Sequence, residues 1–249
     1  MSDLIRAELL KLRTTRVPYG LLGAALALTV LGVVGTILTA GRDGAPPIES
    51  TEAIRNVLGA GGTATIFTLV LGILVVTGEF RHGTITQTFL VAPIRSRVVK
   101  AKLVAVLAAG FAFGALASLV TAVVSVPWLA AKDVSVSLLS ADVAVPVLAV
   151  VASAALFGVI GVGVGALIRN QVAAIVVALL WQFVLESIVV GLLPDVGKWL
   201  PQGAARALAE ETLADGNLLP PWAGGLVLLA YGAAFALIGT RLLVQRDVT

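Results

Sequence analysis

Apolar residues in this chain run in long blocks divided by short polar stretches. The blocks have the length a helix needs to cross a bilayer core of roughly 30 Å. They predict six membrane-spanning helices, over about 18–38, 62–77, 102–129, 144–168, 172–193 and 222–243. The third is the least regular, being long and carrying Pro127 near its end. A transmembrane barrel would need short segments of alternating polarity, which the pattern lacks. The expected fold is therefore all-α and polytopic, a single transmembrane domain over 1–249.

The polar stretches are patterned too. Residues 1–16 carry four bases, among them Arg6, Lys11 and Arg13, and a partial helical stripe of Ile5, Leu9 and Leu12 with Glu8 and Lys11 beside it. This predicts a helix lying in the membrane interface with its bases toward anionic headgroups, the plain alternative being a basic flank before a first span. Only Arg169, Asn170 and Gln171 separate the fourth and fifth blocks, so those two form an antiparallel hairpin. The segment 39–61 reads as a Gly/Pro turn and then a short helical pattern (Ile54, Val57, Leu58). Between Pro194 and Pro220–Pro221, QGAARALAEETL reads as a further short helix outside the core or dipping back into it.

The stretch Gly78–Lys102 holds one acid, Glu79, the bases Arg81, Arg95, Arg97, Lys100 and Lys102, and the only histidine, His82. Gly83 breaks the preceding pattern. Thr84 with Gln87 three residues on reads as a capping box, in which hydroxyl and amide side chains satisfy the first free backbone N–H groups. Ile85, Thr88 and Phe89 then share one face, and Pro93 ends the run. A two-turn helix pinned between two spans suits the passing of force, although it is also an ordinary way to turn a chain round.

Composition agrees with the pattern. At 59% hydrophobic and 12% charged residues, a chain of 249 has too little polar surface for a soluble globule. The first block is too long for a signal-peptide core and stays in the protein. With both termini placed inside, twelve of the 17 Lys and Arg fall on inner segments, so the positive-inside rule puts the termini and the Gly78–Lys102 loop in the cytoplasm of a cell-membrane protein. Because the bases are sorted by membrane side, the net charge of +3 is no sign of a nucleic-acid partner.

Catalytic apparatus is not visible. There is no phosphate-binding loop of the G-x-x-x-x-G-K-[ST] kind, no H-E-x-x-H and no nucleophile elbow. Without cysteine there are no disulfides or thiolate metal sites. No enzyme activity, catalytic residue, metal or cofactor is expected in this chain. Glu186 is the single acid inside an apolar block. A charge at that depth costs several kcal/mol unless neutralised, paired or wetted. Either it faces a polar cavity together with Gln182, as a pathway residue would, or the span sits lower and Glu186 lies near the outer interface. Gly110/Gly114 and Gly161/Gly165 have helix-packing spacing, with no partner identifiable. Trp128, Trp199 and Trp222 fall near the outer boundary, as interfacial anchors do.

Taken together, these motifs resemble a known family. E-x-x-K (Glu8, Lys11) precedes six spans; the loop after the second reads G-E-x-x-x-G-T (Gly78 to Thr84), then P-x-R-x-R (Pro93, Arg95, Arg97) and a Lys; a late segment reads W-L-P-x-G-A (Trp199 to Ala204). The chain resembles the permease subunits of type-2 ABC exporters along nearly its whole length. The resemblance implies a dimer with a second permease copy, identical or different, each copy docking a separate cytoplasmic ATPase that holds MgATP. It implies that Thr84 to Leu90 form the coupling helix, with Glu79 pairing a base of the N-terminal helix or the ATPase, and that span five brings Glu186 to the pathway. The implied function is outward movement of an amphipathic or lipophilic cargo by alternating access. Other classes compete with it. An immunity or sensing module could share this fold without transporting. A secondary transporter would want more ionisable residues within its spans.

Overall fold

The computed structural model describes residues 1–42, 45–92, 94–134, 140–211 and 218–245. Among them every regular element is helical, and six helical segments are long and apolar enough to cross a membrane. Helix α1 (Ser2–Thr14) leads into α2 (Val17–Thr39), the first span. The second spanning segment is longer than its apolar block. It starts with α3 (Thr51–Gly59), passes through a tight 3₁₀ turn (Ala60–Thr63) and continues as α4 (Ala64–Arg81). Ser50 explains the early start: its hydroxyl accepts a 3.1 Å hydrogen bond from the Ala53 amide, capping the helix well outside the apolar block.

Helix α5 (Thr84–Val91) follows, then α6 (Arg95–Ala130), which begins two turns before its apolar block and so takes Lys102 inside the helix. Helix α7 (Ala141–Ile168) is the fourth span. The fifth is α8 (Gln171–Leu180), a π-helical turn (Trp181–Leu185) and α9 (Glu186–Leu192). Short helices α10 (Pro194–Gly197) and α11 (Pro201–Leu208) cross its end before α12 (Pro221–Gln245), the sixth span. The pattern QGAARALAEETL thus continues as helix only to Leu208, because Glu210 turns into the left-handed region (φ 53°). Arg169, also left-handed (φ 57°), and Asn170, whose side chain caps α8 by accepting from the Ala173 amide, make the hairpin between the fourth and fifth spans.

Helices α4, α6 and α7 form the centre of the bundle. Lipid offers no hydrophobic force between helices, so close approach depends on small residues. Here the glycine spacings find their partners. A Cβ on Gly161 of α7 would collide with the Leu69 carbonyl of α4, and one on Gly110 of α6 would lie 2.6 Å from the Ala155 Cα of α7. The outer spans touch this centre by narrow ridges. Helix α2 buries Ala25, Thr29, Val33 and Ile37; span five buries Ala174, Ala178, Gln182 and Glu186. Steps of four residues drift about 40° round an α-helix. The wider π-helical turn takes up that drift and keeps Gln182 and Glu186 on the ridge. Trp199 and Trp222 are exposed at the end of the bundle away from α1, while Trp128 packs half-buried beside Val33 and Leu129.

Candidate functional site

At the α1 end of the bundle, four charged side chains meet. Lys102 of α6 is 2% exposed, and its ammonium donates to Glu79 Oε1 of α4 at 2.6 Å and to Glu8 Oε2 of α1 at 3.0 Å. Lys11 of α1 donates to the same two carboxylates, to Glu8 Oε1 and Glu79 Oε1, each at 2.7 Å. Two acids and two bases sum to zero charge, which is how so ionic a group can sit at the edge of an apolar bundle. The cluster ties α1 to the second and third spans. Removing any one member would leave a buried charge without balance.

Helix α5 begins five residues after Glu79. Gly83 turns into it in the left-handed conformation (φ 66°), which suits a residue without a Cβ. The capping box expected from Thr84 and Gln87 does not form. Gly83 takes the N-cap position, Thr84 is already inside the helix, and no side chain caps it. Ile85 is buried (3% exposed), Thr88 and Phe89 are half-buried, and Gln87 is exposed. Arg95 lies over the Phe89 ring, 5.2 Å from its centroid, and also donates to the Val244 carbonyl of α12 at 3.3 Å. Phe89 therefore belongs to the inner face of α5. Near its end two apolar side chains lie bare, Leu90 (78% exposed) and Val91 (87%), with Thr86 and Gln87 exposed beside them.

The remaining residues singled out from the sequence sit around this core. Arg81 donates to the Gln171 side-chain oxygen at 3.3 Å, and His82 Nδ1 donates to the Gly78 carbonyl at 2.8 Å. Arg6, Arg13 and Arg97 are exposed, and the Arg13 carbonyl accepts from the Tyr19 hydroxyl at 3.1 Å. Pro93 lies outside the described residues.

Glu186 is at the opposite end and belongs to a different site. It is 2% exposed, and Oε1 accepts a 2.6 Å hydrogen bond from the backbone amide of Gln202, with the Gly203 amide and the Trp181 ring N–H facing the carboxylate. Those amides are the free N–H groups at the start of α11, so a carboxylate from one helix caps another. Gln182 reinforces the link, donating to the Gln202 side-chain oxygen at 2.9 Å. Both also line a cavity of about 380 Å³ with Phe183, Lys198 and Arg206. Glu186 is thus buried and bonded beside a cavity at this end of the bundle. A neighbouring staple joins the same end: Arg55 of α3 reaches Asp142 of α7 and Glu210 after α11, each at 2.7 Å.

Sequence reasoning missed Lys102 as a site residue, along with Arg55 and Gln202. The signal for Lys102 was present: a lysine inside a continuous apolar helix must find acids, and Glu8 and Glu79 were the acids nearest that end. Nothing local marks Gln202, because its backbone makes the contact.

No curated protein matches the chain. Residues 4–185, well over half of it, match the family described as ABC-2 family transporter protein. With six candidate spans and this match, the chain belongs to the ABC-2 transporter family and is a multi-pass membrane permease subunit of an ABC transporter.

Proposed function

We propose that this permease works in an ATP-driven exporter, with α5 as the coupling helix and both termini in the cytoplasm. A separate ATPase chain, carrying MgATP, docks on α5 from the cytoplasm. One observation carries the reading: α5 presents Leu90 and Val91 bare near its end, while Glu79 of α4, five residues before it, is bonded into α1 and α6. An apolar tip outside the membrane suits a protein groove, and a charged cluster shortly before the helix suits transmission of its displacement. ATP-driven approach of the two ATPases would pull the α5 helices together. The packed α4–α7 pair would then tilt as one body and open the pathway outward. The narrow buried ridges of α2 and span five leave broad apolar faces, which supports pairing with a second permease copy. An amphipathic or lipophilic cargo fits walls of this kind, with Gln182 and Glu186 as the polar positions along them.

Purification in gentle detergent tests the class. The expected result is a soluble ATPase at near-equal stoichiometry, released by Val91→Asp while the permease stays folded. Absence of any ATPase from preparations of the unaltered chain would overturn the reading.

A further inference from the structure

Beside the neutral four-residue cluster runs a crevice of about 550 Å³, between the α1–α2 junction and the last turns of α4. Its lining changes character along α4. Leu71, Leu74 and Val75, with Leu12 and Val17 across from them in the chain, are apolar; one to two turns on come Arg81 and His82. From Leu74 to Arg81, the last residue of α4, the helix rises about 10 Å. That spans the headgroup and upper chain of a lipid.

The charges decide the head. Glu8 and Glu79 line the crevice too, but each is bonded to both Lys11 and Lys102, so the four sum to zero. Arg81 adds a positive charge. Its one hydrogen bond among the described residues is to the neutral Gln171 side chain at 3.3 Å, which leaves the other guanidinium donors for a ligand. His82 donates its Nδ1–H to the Gly78 carbonyl, so its Nε2 donates to a phosphate oxygen only as the imidazolium. Both side chains are exposed at the mouth. A guanidinium fork beside an imidazolium is matched by a phosphate, and the apolar wall below is matched by an acyl chain.

We infer that this crevice receives an anionic amphiphile from the leaflet beside α1, a phosphate-headed lipid or lipid-like cargo, with Arg81 and His82 on the phosphate and Leu74 and Val75 along the chain. The inference rests on the exporter reading and deepens it, naming the chemistry of the cargo and the place where it is taken up.

Binding tests it without any ATPase, so failure of coupling and failure of this site are read separately. The full-length permease in detergent is titrated with dioleoylphosphatidic acid and with dioleoylphosphatidylcholine, and retained lipid is counted by native mass spectrometry. Phosphatidic acid should be retained preferentially. Arg81→Gln with His82→Ala should weaken that retention about tenfold, while Arg81→Lys, which keeps the charge but not the fork, restores only part of it. Leu74→Glu should abolish retention through the chain wall, and water-soluble glycerol 3-phosphate should not compete. Each variant is checked for an unchanged melting temperature. Equal retention of the two lipids, indifference to the Arg81/His82 change, or competition by glycerol 3-phosphate would each overturn the proposal.

Discussion

The ammonium of Lys102 lies 2.6 Å from the carboxylate of Glu79, joining the start of the third span to the end of the second where α5 begins. The pair is buried, and Lys102 also holds Glu8 of α1. The cluster therefore holds α1, α4 and α6 together five residues before α5 starts.

Breaking that junction from one side should be costly. Lys102→Met leaves Glu8 and Glu79 with only Lys11, and loss of one partner from a buried ion group costs about 3–5 kcal/mol. A lowered melting temperature and faster proteolysis of α1 should follow. Adding Glu8→Gln to Lys102→Met restores charge balance and should recover much of the loss. A double variant no more stable than the single would show that the charges are not what holds α1.

The tip of α5 should behave in the opposite way. Leu90→Asp touches little within the chain, since Leu90 is 78% exposed. The permease should melt normally, while ATPase activity of the assembled transporter loses its stimulation by cargo. Unaltered stimulation would remove α5 from the coupling role. Phe89 is a poorer probe, because it packs under Arg95 and its loss would mix folding with docking.

For Glu186 two substitutions separate cap from charge. Glu186→Gln keeps an oxygen to accept from the Gln202 amide, whereas Glu186→Ala leaves the α11 amides open and should cost about 1 kcal/mol. Protease cleavage between residues 194 and 221 should rise in the Ala variant and little in the Gln variant. If cargo transport in vesicles falls in both, the charge itself serves the pathway.

Gly161 offers a packing test. Even Gly161→Ala sets a methyl against the Leu69 carbonyl, forcing α4 and α7 apart. The expected outcome is a poorly folded permease with low yield and a lowered melting temperature. Gly35, with open space around it, should accept alanine without effect.

The cluster also predicts a pH response of α1. Burial pulls the Lys11 pKa down, but hydrogen bonds from its ammonium to Glu79 and Glu8, with their charges, outweigh this and hold it above the ordinary 10.5. A base whose folded pKa is raised contributes stability that is fully present below the unfolded value and is lost as pH rises through the folded one. Docking of α1, followed by protease resistance, should hold from neutral pH up to 10.5 and weaken above it. Lys11→Met should lose that alkaline step.

Much of the architecture was legible from residue order because apolar transfer is a local, additive property. Twenty apolar residues favour the bilayer wherever they lie in the chain, so the six spans, the interfacial helix and a short helix before Pro93 followed from the pattern alone. The helix start at Ser50 and the loss of the Thr84–Gln87 box were less legible. Element ends depend on which side chain happens to reach a free amide, and at α5 the left-handed Gly83 took the position the box needed.

What only the tertiary structure decided is which polar groups meet. Glu8 and Lys102 are 94 residues apart, and Arg55 and Asp142 are 87 apart. Their pairing depends on how α4, α6 and α7 close on their glycines, and no local pattern encodes that. The sequence by itself determined that this chain crosses a membrane six times and hangs a short helix between the second and third spans. The packing determined that Glu79 is anchored, that Glu186 caps a neighbouring helix, and that Leu90 and Val91 are left bare, because a charge in an apolar bundle is tolerated only where the fold supplies its partner.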